Sequence, residues 1–188
     1  MTLLADVRLA RHRLPSQHIA VLDALGVQET VCASWPGPVL DLYETVRMTP
    51  PDARALRDAA GLWLPALRTA AFNGPFLRAV TDGLDEASRR EFVANVAWHE
   101  YGHALSLALS TADQRRRGSE LLKLAPDVIQ RQVGQHGYRS DEIFDELIAG
   151  VYALLVGGVP RYGYGLPRYL NQLLFDEFKE IIPWPPTQ

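Results

Sequence analysis

The sequence predicts an α+β domain, on three observations. Several segments of the first half carry the short-period apolar pattern of strands. From Asp85 onward apolar residues recur at the wider spacing of helices. One of these later segments, Phe92 to Leu109, is apolar on nearly every side, so it should run through the interior. With 188 residues, 47% of them hydrophobic and 22% charged, the chain is long enough for one sizeable core. No internal repeat, low-complexity tract or linker divides it, so residues 1–188 read as a single domain.

Taken in order, Gln17 to Leu25 sets Ile19, Leu22 and Leu25 on one face and stops at Gly26, the signature of a short amphipathic helix. "LDLYETVRM" alternates Leu40, Leu42, Val46 and Met48 with Asp41, Tyr43, Thr45 and Arg47, broken only at Glu44, and predicts a half-buried strand. Thr49-Pro50 with Asp52 signals a helix start, and Gly61 a stop. "LWLPAL" and "RTAAFNGPFLRAV" read as strands or a hairpin, with Asn73-Gly74 as the turn. Asp85 to Ser110 reads as one long helix, opened by Asp85 and Glu86 at the positive end of its dipole. Further helices are expected at 112–133, 140–156 and 167–181, with "GGVPRYGYGLPRY" as an irregular loop before the last and a proline-rich tail after it.

Charge and cysteine content narrow the function. A formal net charge of -3 gives no basic surface to draw nucleic acid or anionic lipid, so neither is expected as a partner. No run approaches the roughly 20 apolar residues of a membrane span. The single cysteine, Cys32, forms no internal disulfide, and the opening residues lack the apolar stretch of a signal peptide, so a cytoplasmic location is expected. Arg115 to Arg117 read as a solvated face, and His12 and His18 as surface residues. "PWPP", around Trp184, reads as a docked tail.

The long helix carries the chemistry. Asn95, His99, His103 and Ser106 share one face, the only polar stripe on an otherwise apolar element. His99, Glu100 and His103 form H-E-x-x-H, whose four-residue spacing aims two imidazoles at one ion while the glutamate, turned about 100° away, stands beside the metal as a base. A catalytic zinc site needs a third protein ligand. The metzincin continuation would place glycine at 106 and histidine at 109, where this chain has Ser106 and Leu109. Downstream, "RSDEIFDELIAGVYALL" puts Glu142 and Glu146 on one helical face with Asp145 beside them, and helix periodicity alone does not choose between the two glutamates.

H-E-Y-G-H followed some forty residues later by E-x-x-x-E resembles the gluzincin metallopeptidases, and E-I-F-D-E-L-I-A is similar to the acidic helix of anthrax-lethal-factor-like domains. The resemblance covers about residues 70–156. It implies a zincin-like domain with a small N-terminal sheet, zinc (Zn2+) held by His99, His103 and Glu142, Glu100 as general base, and Glu146, with Asn95, in support behind the ligands. Regulatory peptidases that share H-E-x-G-H are a poorer match, because Asp145-Glu146 stands where their Ala-Asn would fall. The expected activity is hydrolysis of a peptide or protein substrate at a peptide or related amide bond. His136 and Tyr138, or Tyr162 and Tyr164, are candidate donors to the tetrahedral oxyanion, and a strand from 68–80 is a candidate edge for an extended peptide. A non-catalytic zincin-like scaffold is the alternative; Glu100, which a purely structural site would not need, argues against it. The sequence does not indicate the oligomeric state.

Overall fold

The computed structural model describes residues 2–45, 56, 59–130, 142–157 and 172–183. These form α1 (Leu3–His12), α2 (Ser16–Leu25), β1 (Gln28–Cys32), α3 (Gly37–Thr45), β2 (Gly61–Leu64), a 3-10 turn (Pro65–Leu67), β3 (Thr69–Asn73), α4 (Gly74–Thr81), α5 (Glu86–Leu109), α6 (Ala112–Lys123), α7 (Ile143–Gly157) and α8 (Gln172–Lys179). The architecture is α+β, mostly helical, with one small mixed sheet ordered β1-β3-β2. β1 runs parallel to β3 and β2 antiparallel to it. Successive residues of β3 face opposite sides: Ala70 and Phe72 enter the main core, while Ala71 joins Val39, Leu56 and Leu64 in a smaller cluster.

Helix α5 is the axis of the main core. The Asp85 side chain accepts from the Ser88 backbone N–H at 2.9 Å and so satisfies one of the orphan donors at its start. Its middle, Val93 to Gly102, is buried without interruption. α1 crosses it, with Trp98 Nε1 donating to the Ala10 carbonyl at 3.0 Å and Arg13 stacked 4.5 Å from the Trp98 ring. α7 packs along α5 more extensively than any other described element does. That approach needs Gly102, because a Cβ there would fall 2.8 Å from Ala149 Cα and 3.1 Å from the Ala149 carbonyl oxygen. After Ser110 the chain restarts as α6 through a reciprocal capping box between Thr111 and Gln114.

The structure agrees with the sequence on α2, which ends at Gly26 with φ 69°, and on α5, within one residue at each end. It corrects several other expectations. Residues 37–45 are the helix α3, not part of a strand. Val39, Leu42, Tyr43 and Val46 recur at a helical spacing that competes with the alternation of Leu40, Leu42, Val46 and Met48, and Pro38 suits a helix's first turn. Gly61 opens β2 instead of ending a helix; the expected start at Thr49-Pro50 lies outside the described residues. The hairpin is real, but its connection is Pro65 to Arg68, with Arg68 left-handed at φ 51°. Asn73-Gly74 is instead a strand-to-helix junction, where the Asn73 side chain caps α4 by accepting from Phe76 N–H at 3.0 Å.

The helix expected at 112–133 breaks at Leu124 and Ala125, just before Pro126, and helical residues resume at 126–130. The loop 158–171 and the tail from Trp184 lie outside the described residues, and the last helix runs Gln172–Lys179. His12 is exposed as expected, but His18 is buried, its ring nitrogens 2.9 Å from Tyr152 Oη and 2.9 Å from the Pro183 carbonyl. β3 is the central strand with both edges paired, so it offers no edge to a peptide. Among the described residues, no helix is long and apolar enough to cross a membrane.

Candidate metal centre

Two packed helices build the site. α5 carries His99 and His103 one turn apart, and α7 brings Glu146 over them from across the Gly102–Ala149 crossing. His99 Nε2 lies 3.1 Å from Glu146 Oε2, His103 Nε2 lies 3.5 Å from Glu146 Oε1, and the two Nε2 atoms are 3.2 Å apart. The imidazoles meet nearly perpendicular, at 83°. Among the described residues, His99, His103 and Glu146 are the one group of three metal-ligating side chains whose donor atoms converge, all within 4.8 Å of one another.

Electrostatics follow from burial. His103 is pushed down to about 4 because its interior position disfavours charge, so it is a neutral imidazole near pH 7. Burial opposes a charge on His99 as well, but the hydrogen bond and charge of Glu146, joined by the charge of Glu100, outweigh it and lift the ring above its ordinary value. Glu146 therefore favours a proton on His99 over one on His103. Glu100 is buried and pushed up to about 8, chiefly by desolvation. Its carboxylate accepts from the Trp63 backbone N–H, and its Oε2 is buried with no hydrogen-bond partner among the described residues.

Of the residues singled out from the sequence, the structure thus brings His99, Glu100, His103 and Glu146 together. Glu142 contributes no atom to the converging group. It stands one turn earlier, where its backbone carbonyl accepts from the Glu146 N–H at 3.1 Å as α7 begins. Asn95 is buried a turn before His99, its amide nitrogen donating to the Glu91 carbonyl at 2.9 Å. His136, Tyr138, Tyr162 and Tyr164 lie outside the described residues.

Sequence reasoning missed two neighbours of the site. One is the edge strand β2, whose Gly61 and Trp63 meet Glu100. The other is Arg115, assigned above to a solvated face. It reaches back to donate to Ser106 Oγ at 2.8 Å and to Asp145 Oδ1 at 2.6 Å, and stacks 5.2 Å from the Phe144 ring. Arg116 and Arg117 are exposed as expected. The restart of the helix at Thr111 was the signal for Arg115, since a capped turn there folds α6 back toward α7.

No protein-family model, no curated protein and no solved structure matches this chain.

Proposed function

We propose that the protein is a zinc-dependent hydrolase, a small metallopeptidase of gluzincin type on a zincin-like domain, with His99, His103 and Glu146 as the metal ligands and Glu100 as the general base. The observation that carries this reading is the convergence of two imidazoles and one carboxylate within 4.8 Å, with a second carboxylate buried beside them. The donor set is the two-histidine, one-glutamate combination of catalytic zinc sites, which leaves a coordination position open. One imidazole is held neutral, as a ligand must be. A zinc ion bound there supplies a Lewis acid and a water acidified to about pKa 7.

The chain's own residues do the rest. Glu100, lifted to about 8 in the metal-free site, is a stronger base than an ordinary carboxylate, and beside a zinc ion its deprotonated, proton-accepting form would be favoured. It takes a proton from the attacking water and returns it to the leaving amine. Its position inside the fold keeps bulk water from competing for that proton. Glu146 takes the third ligand role that the family resemblance had given to Glu142, because it is the carboxylate that reaches both histidines.

The test is metal content and activity together. One zinc per chain is expected in purified protein by elemental analysis, lost in His99→Ala. Glu100→Gln should keep zinc and fold while cleavage of an unstructured protein pool falls at least about a hundredfold. Undiminished zinc in His99→Ala would rule out the site. Zinc-loaded protein with no Glu100-dependent cleavage would leave a non-catalytic scaffold.

A further inference from the structure

We infer that the outer edge of β2 is the seat of Glu100, and that Gly61 and Trp63 are positioning residues that fix which carboxylate oxygen faces the reaction. This rests on the hydrolase reading for its consequence, although not for its geometry.

The ladder shows which backbone groups are available. Asn73 N–H donates to the Ala60 carbonyl at 2.9 Å, which makes that opposed pair a bonded one. In an antiparallel ladder bonded and non-bonded pairs alternate. Leu62 opposite Ala71 and Leu64 opposite Thr69 therefore bond inward, while Gly61 opposite Phe72 and Trp63 opposite Ala70 turn their N–H and C=O groups outward. Among the described residues no strand pairs with that outer side. An outward N–H in a buried setting needs a partner, and for Trp63 it is the carboxylate of Glu100.

Gly61 makes the seat possible. A Cβ at that position would fall 2.7 Å from Glu100 Oε1, 3.0 Å from Cγ and 3.1 Å from Cδ, so the whole end of the side chain occupies the space a residue larger than glycine would take. Glu100 is 3% exposed on a helix packed on several sides, and has nowhere else to go. One oxygen lies against β2, and Oε2 is left buried and without a protein partner among the described residues. A buried acceptor in that state is costly unless something else uses it. That oxygen is the one left to receive the proton of the attacking water. Held by a strand on one side and by its own helix on the other, the base is preorganised.

Two measurements test this. Gly61→Ala must displace the carboxylate by some tenths of an ångström to about 1 Å, enough to cost about ten- to a hundredfold in kcat with KM and zinc stoichiometry unchanged. In a Glu100→Gln background the same substitution should cost nothing more, because the base it misplaces is already gone. An equal loss in both backgrounds would mean that Gly61 serves the fold or substrate binding, and would overturn the proposal. The second measurement needs no activity. Amide hydrogen exchange in Glu100→Ala should rise at Trp63 at least about tenfold while Leu62 and Leu64, bonded inward to β3, keep their protection. An unchanged Trp63 amide would remove the seat. A raised one in a protein without any hydrolytic activity would leave the seat standing and retire the hydrolase reading instead.

Discussion

Gly102→Ala asks whether the spacing of α5 and α7 is what delivers Glu146 to the histidines. The added methyl would sit 2.8 Å from Ala149 Cα, 3.1 Å from the Ala149 carbonyl oxygen and 3.1 Å from Tyr152 Cβ. Ordinary carbon contacts are about 3.5–4.0 Å, so α7 must recede by about 1 Å, and no side-chain rotation relieves a clash with backbone. Ala149 lies less than one turn from Glu146, so the shift reaches the carboxylate almost undiminished. The 3.1 Å separation between His99 Nε2 and Glu146 Oε2 would open to about 4 Å.

Three donors that converge less well should bind zinc about ten- to a hundredfold more weakly, on the scale of losing a ligand's support. Stability of the metal-free protein should change less. Overpacking costs about 1–3 kcal/mol. The better helix propensity of alanine returns up to about 1 kcal/mol. The assay is zinc titration against a competing chelator, with thermal unfolding of the chelated protein alongside. Zinc affinity within about twofold of wild type, in a normally folded variant, would refute the idea that this crossing sets the site.

Glu146→Gln should weaken zinc binding more than about a hundredfold, beyond what loss of a supporting residue costs, while Glu142→Gln changes it less than about tenfold; the reverse order would return the ligand role to Glu142. The metal-free protein should also show a specific pH dependence. The folded state raises Glu100 from 4.5 to about 8 and raises His99 above 6.5, so the folded chain keeps protons the unfolded chain releases; the Glu100 contribution is lost as pH rises from 4.5 to about 8, and that of His99 as pH rises above 6.5. The Glu100 share is at most about 1.4 kcal/mol per pH unit and should vanish in Glu100→Gln. His103 acts in the opposite sense: pushed down to about 4, it makes the unfolded state the better proton acceptor, so its contribution is lost as pH falls from about 6.5 toward 4. Denaturant midpoints of the chelated proteins across that range check both signs. An equal alkaline slope in wild type and Glu100→Gln would count against the buried carboxylic acid.

Much of the candidate site was legible because helix geometry is local. The limits of α5 follow from Asp85, Ser110 and the largely apolar segment Phe92 to Leu109 between them, and once that segment is helical, His99 and His103 must share a face with Glu100 beside them. Elements whose patterns satisfy two periods were less legible. Residues 40–45 belong both to the alternating run Leu40–Met48 and to a helical spacing from Val39, and the structure places them in α3. The connection of the hairpin moved from Asn73-Gly74 to Pro65–Arg68 because an asparagine before a glycine serves as well to cap a helix as to turn a strand.

The choice between Glu142 and Glu146 shows the boundary most clearly. They lie on the same helical face four residues apart, so no local period separates them. What separates them is where α7 crosses α5, and that is set by Gly102 meeting Ala149, residues 47 positions apart in the chain. The same holds for Gly61 and Trp63, whose nearness to Glu100 depends on the edge of a sheet reaching a helix. The amino-acid sequence by itself determined which donors α5 presents and on which face, because each residue's direction on a helix is a property of the backbone around it. Only the tertiary structure decided which carboxylate converges with the two histidines and what lies against Glu100, because close packing between distant segments depends on the shapes of both surfaces at once.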